Sequence, residues 1–418
     1  MHSTLDPQPL SHAALGRFGR ATIAFVPAPS AQSRPARPVR APRARTVARP
    51  AVAPWPRNVP APVLVEQRRG GIVESRHRGH VVQVGPDGAL QRVIGDHEVI
   101  VTLRSAVKPF ALVALVESGA ADELNLTAPE LALLASSHHG EDLHVRTLQA
   151  VFRRAALSQT LLACGTAWAP LDELTATRLA RDGEKPGPIR HMCSGFHAAS
   201  ILLSRHAGWP IDDYWQPDHP SQVAVRAAVA RVFGTRPEKL RTAGDDCGVR
   251  TYAFPLVEVA RAYALLADPL GMARDAQLGL APTLTRIRDA MVAAPELVGG
   301  VRGSLSTELM KARPGRIVAK SGAEALEGIG LLPGAAAGDS PGGDSPGGGL
   351  AVKIEDGDGR SRALPAVAIE ALIQVGALDQ AAVRALGAMR RPRASDAHGD
   401  GVAESVAVFE LAPISELL

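Results

Sequence analysis

Several features that define common protein classes are scarce in this sequence. Aromatic residues make up only 4% of its 418 positions, and there are three cysteines, Cys164, Cys193 and Cys247. A small and odd number of cysteines argues against a disulfide scaffold and suits a reducing compartment, for which we expect the cytoplasm. No apolar run reaches the roughly 18 residues of a membrane span, and no apolar core behind a charged start marks a secretory signal. We therefore expect no membrane partner.

Lysine is absent from the first 62 residues, although nine arginines and one aspartate give this segment a charge of +8. The whole chain carries +4, so the remainder carries 4 − 8 = −4. The high isoelectric point therefore belongs to the segment, and we expect no nucleic-acid partner. Residues 1–62 are predicted to be a disordered Arg/Pro-rich extension. A transit peptide and an over-called start codon are the alternatives.

Apolar residues make up 46% of the chain, enough to bury the core of one large domain, predicted over residues 63–390. The domain opens with the short β-type runs VLVE, GIVES, HVVQV, LQRVI and VIVTL, and a turn at 86–88 predicts a hairpin. Strand character returns at 316–320, 325–331 and 350–356, before closing helices at 362–388. The insertion 333–349 is rich in Gly and Pro, and the tail 391–418 contains one possible short strand.

A long helical region separates the two groups of strands. Thr127 is the predicted N-cap of one helix, with Glu130 three residues later as its capping-box partner. Together these patterns predict an α+β fold, in which a mainly antiparallel sheet is built from both chain ends around an inserted helical region. The other predicted helices span 106–117, 141–156, 170–181, 195–206, 220–233, 255–267 and 282–294.

A serine and a lysine stand three residues apart at the start of the first helix, in TLRSAVKPF. Residues at i and i+3 share one face of a helix, so Lys108 can reach the hydroxyl of Ser105. A lysine held partly neutral by burial and by nearby cations can activate a serine as a nucleophile. The alternative interpretation is an ordinary N-cap serine followed by a surface lysine.

A second lysine motif, Lys320-Ser321-Gly322, lies on a predicted late strand. Its glycine allows another group to approach the backbone closely. An early Ser-x-x-Lys followed by a late Lys-Ser/Thr-Gly is the order found in serine β-lactamases and penicillin-binding proteins. The two motifs in this order indicate a serine hydrolase more specifically than either motif alone.

Three further stretches are rich in chemically active side chains. ASSHHGED places Ser137 in a loop between predicted helices, where either a functional or a merely solvated loop fits. HMCSGFH contains Cys193 and His197, and GDDCG contains Asp245 and Cys247. Such clusters can bind zinc, but their spacing matches no standard zinc motif, and buried cysteines are equally compatible.

Taken together and in this order, these stretches resemble an L-asparaginase of the rhizobial, thermolabile type, the asparaginase II family. The resemblance covers residues 63–390, and it implies a fold similar to serine β-lactamases and glutaminases, an αβ sandwich. It also favours a homodimer. The matching stretches are VESRHRGHVVQV, RSAVKPFALVALVESGA, LALLASSHHGE, HMCSGFHAA, GDDCGV and KSGAE.

The resemblance implies two catalytic pairs, Ser105 with Lys108 and Ser137 with Lys320. It further implies that Arg104, His197 and Asp245 lie close to the amino-acid substrate. We expect Ser105 to attack the side-chain amide of L-asparagine with Lys108 as general base, while the second pair relays protons. Asp245 is the expected partner of the substrate ammonium.

The resemblance also implies that Cys193 and Cys247 hold a zinc ion, with a lysine from a C-S-G-K-H motif completing the metal shell. This sequence has Phe196 at the place of that lysine, and phenylalanine cannot ligate a metal. Two thiolates and a water leave a tetrahedral site one protein ligand short, unless His191 or His197 substitutes.

Two other functions compete with the asparaginase hypothesis. A glutamine-acting or β-lactam-acting serine hydrolase would use the same scaffold, although no Ser-Asp-Asn stands between Ser105 and Lys320. A non-catalytic homologue that binds a small amino acid is the third possibility. All four serine and lysine positions are filled, whereas a non-catalytic homologue would be expected to lose some of them.

Overall fold

The main sheet is built from strands at both ends of the chain. In the computed structural model, which describes residues 59–167, 169–273, 275–334, 347–358 and 361–416, the strands lie as follows. They are β1 Val63–Arg69, β2 Ile72–Val84, β3 Leu90–Ile94, β4 Ile100–Thr102, β5 Arg241–Gly244, β6 Arg250–Pro255, β7 Ile317–Gly322, β8 Leu326–Leu331, β9 Gly348–Ile354, β10 Arg393–Ser395, β11 Gly401–Ala407 and β12 Ala412–Pro413.

Neighbouring strands of this sheet follow the order β10-β11-β1-β2-β9-β8-β7, and β3 joins β2 to β12. Each of these pairs is antiparallel. The predicted α+β class, with a mainly antiparallel sheet from both chain ends and an inserted helical region, is confirmed. The C-terminal strand β11 pairs with β1, so residues after 391 complete the sheet.

The first hairpin shows how the sequence sets the register of the sheet. The runs GIVES and HVVQV, which look separate in the sequence, form the single 13-residue strand β2. Gly70 and Gly71 connect β1 to β2 with φ angles of 49° and 85°. These angles suit a two-residue hairpin turn and are readily adopted only by glycine.

The helical region matches the predicted ranges to within three residues. The predicted helix 106–117 is a 3₁₀ turn, Arg104–Val107, followed by two short helices. The helices are α1 Lys108–Ala111, α2 Val113–Glu117, α3 Ala120–Glu123, α4 Ala128–Leu134, α5 Asp142–Arg154, α6 Glu173–Arg181, α7 Ser194–His206, α8 Pro220–Val232, α9 Leu256–Ala267, α10 Pro269–Met272, α11 Ala281–Ala293, α12 Pro295–Val298, α13 Leu305–Ala312, α14 Ala363–Gln374, α15 Gln380–Ala385 and α16 Gly387–Arg390; further 3₁₀ turns are Gln159–Leu161, Pro188–Arg190, Pro237–Lys239, Asp275–Leu280 and Ile414–Glu416.

A second, three-stranded sheet of order β4-β6-β5 differs from the sequence prediction. The run VIVTL was predicted to belong to the opening sheet, but β4 instead pairs with β6. Strands β5 and β6 interrupt the region predicted to be helical throughout. The pairing of β6 with β4 joins residues about 150 positions apart, and such a contact leaves no local pattern in the sequence.

The predicted start of α4 is confirmed in detail. Thr127 accepts a hydrogen bond from the backbone N–H of Glu130, and the Glu130 carboxylate accepts one from the Thr127 N–H. Glu130 also forms an ion pair with Arg154 of α5. This capped helix ends at Ala135 and delivers the ASSHHGED stretch to the centre of the molecule.

Helix α9 is buried almost throughout and packs on the sheet beside β8 and β9. Its Tyr263 ring lies where a side chain on Gly328 would project, since a Cβ there would come within 2.0 Å of the ring. The Tyr263 hydroxyl donates a hydrogen bond to the carbonyl of Ala106 at 2.7 Å. The sheet, α9 and the 3₁₀ turn are thereby held in fixed relation.

Two predicted segments lie mostly outside the described residues. The extension predicted over 1–62 precedes Val59, apart from its last four positions, and 335–346 of the predicted insertion are not described. In the part of the chain that is described, no helix is long and apolar enough to cross a membrane.

Candidate active site

Ser105 lies in the 3₁₀ turn that follows β4. It is inside the turn and does not cap a helix. The N-cap interpretation of this serine is therefore wrong. Its side chain is largely buried, and among the described residues its hydroxyl forms no hydrogen bond. The turn packs against the end of β7, because a Cβ on Gly322 would come within 2.3 Å of the Leu103 carbonyl. Gly322 of the KSG motif thus allows β7, which carries Lys320, to pack closely against the turn that carries Ser105, called the serine turn below.

Lys108 is buried three residues after Ser105 and uses all three of its N–H donors. It donates to the Ser137 hydroxyl at 3.0 Å, to the Ser136 carbonyl at 2.8 Å and to the Cys193 sulfur at 3.2 Å. Three acceptors around one amine are the environment of an ammonium group. Within the described ranges, the serine hydroxyl to which the Lys108 amine donates is therefore that of Ser137 and not that of Ser105.

Ser137 lies just beyond α4 and is partly exposed. Its backbone N–H donates to the Val298 carbonyl at 2.9 Å, which fixes the position of the loop. Helix α7 approaches the same loop closely, since a Cβ on Gly195 would come within 2.1 Å of the Leu133 carbonyl. The ASSHHGED stretch is thus held by backbone contacts from two sides, and the solvated-loop interpretation is wrong.

Lys320 lies on β7, is 2% exposed and donates to the carbonyl of Ser321 at 2.8 Å. Burial, together with the nearby charge of Lys108, lowers the pKa of its amine to about 7. Among the described residues no hydrogen bond links Lys320 to Ser137. The structure thus places a lysine that is readily deprotonated near neutral pH beside the Lys108–Ser137 contact.

Cys193 and Cys247 come together from distant parts of the chain. Cys193 precedes α7, and Cys247 lies in the turn between β5 and β6. A hydrogen bond from the Cys247 thiol lowers the pKa of Cys193, and the ammonium of Lys108 acts in the same direction. Both cysteines are free and buried. The pair therefore resembles a thiolate held by a thiol and a cation.

The residues around this pair do not fit the zinc ion that the family resemblance implies. Phe196 occupies the place of the expected lysine ligand and is buried. His191 accepts the backbone N–H of Cys193 through Nδ1, and His197 Nδ1 is bonded to the Tyr214 hydroxyl. Within the described residues no group of three or more His, Cys, Asp or Glu side chains could hold a metal. Two thiols alone do not provide a tetrahedral zinc site.

Two of the predicted substrate-binding residues contact each other. Arg104, whose φ of 47° is unusual for a residue other than glycine, donates to Asp245 at 3.0 Å and to Asp246 at 2.6 Å. The Arg104 and Asp245 side chains are both largely buried, at 15% and 10% exposed. This ion pair borders the serine turn. It contains a positive and a negative charge, which are the two partners that the carboxylate and the ammonium group of an amino acid would need for binding.

The third predicted substrate-binding residue, His197, lies beneath the site. Its ring is fully buried on α7 and packs edge-on against Tyr214. Burial lowers the pKa of His197 to about 4, so the ring is neutral at physiological pH. Its Nε2 has no hydrogen-bond partner among the described residues. His197 therefore contributes to the base of the site as a neutral ring.

Sequence reasoning missed two buried groups that shape the site. His138 and His144 stack at 4.8 Å, and His138 donates through Nε2 to the Ser194 hydroxyl at 2.8 Å. Glu327 lies on β8, where every residue is buried. The signal for Glu327 was available in the sequence, since it is a lone acid in an apolar strand opposite the KSG motif.

The chain matches the L-asparaginase II family over residues 65–407. Among curated proteins, none matches. Solved structures that overlap with the chain include a probable glutaminase of Bacillus subtilis, at 12% identity and a TM-score of 0.30, covering 74% of this chain and 86% of that one. A structure of Mglu overlaps at 15% identity and a TM-score of 0.30, covering 74% of this chain and 66% of Mglu. The glutamate form of Mglu overlaps at 16% identity and a TM-score of 0.33, covering 72% of this chain and 62% of that one.

This chain therefore spans just under two thirds of the length of Mglu. The structural overlaps are weak, so the assignment depends on the family match, which covers most of the chain. That match agrees with the resemblance seen in the sequence. The chain belongs to the L-asparaginase II family, a family of amidohydrolases.

Proposed function

We propose that the protein hydrolyses L-asparagine to L-aspartate and ammonia through a serine acyl-enzyme. The observation that supports this function best is the contact of Lys108 with Ser137 at 3.0 Å, three residues after the unbonded hydroxyl of Ser105. Lys320, whose pKa burial lowers to about 7, lies nearby. Serine hydroxyls near a lysine of lowered proton affinity are components of nucleophilic amide hydrolysis.

In acylation, the Ser105 oxygen attacks the side-chain amide carbon of asparagine. Lys108 first releases one ammonium proton to solvent and then takes the hydroxyl proton in its neutral form, after which the tetrahedral intermediate collapses with cleavage of the C–N bond. The proton held by Lys108 moves to the leaving nitrogen, which departs as ammonia. A β-aspartyl ester on Ser105 remains.

In deacylation, a water molecule attacks the ester carbonyl. The water gives one proton to Ser137, which passes a proton on to Lys320. The C–O bond between the acyl group and Ser105 then breaks, and the Ser105 oxygen regains a proton. Ser137 suits the relay because its hydroxyl is already hydrogen-bonded to Lys108. Lys320 suits the role of acceptor because burial favours its neutral form.

Substrate selection in this proposal depends on the ion pair beside the serine turn. Asp245 binds the α-ammonium group of asparagine, and Arg104 binds the α-carboxylate. In the structure the two residues satisfy each other at 3.0 Å. Substrate binding therefore exchanges one ion pair for two, so neither charge is left unpaired.

The nucleophile assignment is tested with Ser105→Ala and Ser137→Ala, assayed for ammonia release and for a covalent adduct by mass spectrometry of the intact protein. Ser105→Ala is expected to lose both activity and adduct. Ser137→Ala is expected to slow turnover and to accumulate the adduct. An adduct that persists in Ser105→Ala but disappears in Ser137→Ala would reverse the two roles.

The substrate assignment is tested by measuring ammonia release from asparagine and glutamine, with nitrocefin hydrolysis in parallel. We expect asparagine to be preferred. A preference for glutamine or turnover of nitrocefin would indicate one of the competing hydrolases, and calorimetric binding of asparagine without ammonia release would indicate a binding protein.

We also propose a cytoplasmic homodimer, and size-exclusion chromatography with light scattering tests its assembly.

A further inference from the structure

Three oxygen-bearing side chains form a closed ring behind the KSG motif. Ser321 pairs directly with Glu327 across the β7–β8 ladder, so their side chains project to the same face of the sheet. Ser306, from α13, completes the ring. Its hydroxyl lies 2.8 Å from the Glu327 carboxyl and 2.9 Å from the Ser321 hydroxyl, and the Ser321 hydroxyl is hydrogen-bonded to the other Glu327 oxygen.

The number of hydrogens in this ring fixes the state of the acid. Three oxygen–oxygen contacts each need one hydrogen, but the two serine hydroxyls provide only two. A neutral Glu327 supplies the third, whereas an ionised Glu327 that accepts from both serines would leave the Ser306–Ser321 contact of 2.9 Å without a hydrogen. As a neutral acid, Glu327 closes the ring by donating to one serine hydroxyl, that serine donates to the other, and the second serine donates back to the other Glu327 oxygen. Ser306 also accepts the backbone N–H of Ser321 at 2.8 Å, which fills its remaining capacity.

The surroundings of Glu327 favour the same neutral state. The side chain is fully buried, and no lysine or arginine among the described residues forms an ion pair with it. Burial raises the pKa of Glu327 to about 7, although its two serine hydrogen bonds and the charge of Lys320 oppose this. Tyr263, the other titratable group that faces it, stays protonated because burial raises its pKa.

We propose that Glu327 is a positioning residue that holds a proton behind Lys320 and, for as long as it is protonated, withholds a negative counter-charge from this lysine. Lys320 is one position out of register with Glu327, because it pairs with Gly328. It binds the Ser321 carbonyl while the Ser321 hydroxyl belongs to the ring. Glu327 thus fixes the strand that presents Lys320 without touching the substrate itself.

Release of the proton from Glu327 would create a buried carboxylate near Lys320 and favour its ammonium form. The other charges that act on Lys320 are those of Lys108, Cys193 and Asp245, and His139 also lies within its field. Lys108 opposes the ammonium form, whereas Cys193 and Asp245 favour it. With these groups unchanged, the state of Glu327 determines how readily Lys320 accepts a proton.

The proton itself is tested on the full-length protein by infrared difference spectroscopy across a pH titration. Wild type is expected to show a carboxylic-acid carbonyl band below about pH 7 that disappears above it. Glu327→Gln should lack this band. Glu130→Gln is the matched control, since Glu130 is also buried but is ion-paired with Arg154, and this variant should keep the band. A wild-type spectrum without the band overturns the inference.

The effect on Lys320 rests on the proposed function and is tested by the pH profile of ammonia release. Activity should rise as the pH increases through about 7, because Lys320 must lose a proton to accept one. In wild type, Glu327 loses its proton in the same pH range and its carboxylate then favours the ammonium form of Lys320. Glu327→Gln is permanently neutral and keeps the ring geometry through its amide, so this rise should move to lower pH. Glu130→Gln should leave it in place. An unshifted rise in Glu327→Gln overturns the role of Glu327, whereas an inactive wild type with the infrared band intact would overturn only the proposed function.

Discussion

A single cation lies beside one of the two cysteines at which the family resemblance implies a metal. Lys108 lies 3.2 Å from Cys193 and supplies positive charge to a sulfur whose pKa is lowered by Cys247 and by this lysine. Phe196 fills the neighbouring space with a side chain that cannot ligate zinc. The same ammonium contacts the Ser137 hydroxyl, so the thiol pair and the serine–lysine machinery share one charge. In the proposed mechanism, Lys108 would therefore act both as a structural cation and as a proton carrier in the same position.

Removal of metal should consequently leave the enzyme active. We expect ammonia release by wild type to be unchanged after dialysis against a chelator, because two thiols without a third protein ligand bind zinc poorly. Phe196→Lys restores the ligand that the related motif contains, and this variant should take up zinc, as measured by elemental analysis. Adding Cys193→Ser to Phe196→Lys should abolish the uptake. Chelator-sensitive activity in wild type would contradict this account.

At the scale of elements, the contact between β7 and the serine turn aligns the two lysine motifs. Gly322 is required there because any Cβ would meet the backbone carbonyl of Leu103 at 2.3 Å, and a backbone atom cannot move aside as a side-chain tip can. Strand β7 carries Lys320, and the turn carries Ser105. A shift of this contact would therefore change the distance between the two motifs directly.

Gly322→Ala should reduce both stability and activity, with the larger effect on activity. We expect a loss of about 1–3 kcal/mol in the free energy of unfolding from the overpacked contact. Ammonia release should fall by at least tenfold at unchanged substrate affinity, because catalytic geometry tolerates little displacement. Gly387→Ala is the matched control, since a Cβ there meets open space, and it should retain full activity. Equal losses in the two variants would contradict the alignment role.

The elements themselves were largely predictable, whereas the pairing of side chains was not. Periodicity and caps located α4 and β7, because such signals are local in the chain. The ladder that joins β4 to β6 and the Lys108–Ser137 contact depend on groups far apart in sequence. The spacing of residues in the sequence favoured Ser105 as the partner of Lys108, because spacing indicates only which residues are neighbours on the same helix. The carboxyl of Glu327 differs, because a lone acid in an apolar strand is a local signal that the sequence does contain.

At the scale of the whole molecule, the strand that carries Lys320 belongs to a sheet built from strands of both chain ends. Strand β11 pairs with β1 over five residue positions, and β1 continues through β2 to β9, β8 and finally β7. The strand that carries Lys320 is thus at one edge of a sheet closed at its other side by the C-terminal residues. Burial of Lys320 and Glu327 together depends on this complete assembly, and such burial has a cost in stability.

That cost should be greatest near neutral pH. Burial raises the pKa of Glu327 from 4.5 to about 7, so the folded chain binds more protons than the unfolded chain in this window and stability falls as the pH rises. Burial lowers the pKa of Lys320 from 10.5 to about 7, so the folded chain binds fewer protons above 7 and stability is regained as the pH rises further. The two penalties therefore overlap near pH 7.

The double variant Lys320→Met, Glu327→Gln should thus be more stable than wild type in urea denaturation, with the largest gain near pH 7 and smaller gains toward pH 4.5 and 10.5. It should also be inactive, because the lysine that accepts protons is gone. Glu130→Gln should behave in the opposite way and lose stability at pH 7, since Arg154 lowers the pKa of Glu130 against the effect of burial. A gain for the double variant that does not vary with pH would show that packing, and not the buried charges, limits the stability of this site.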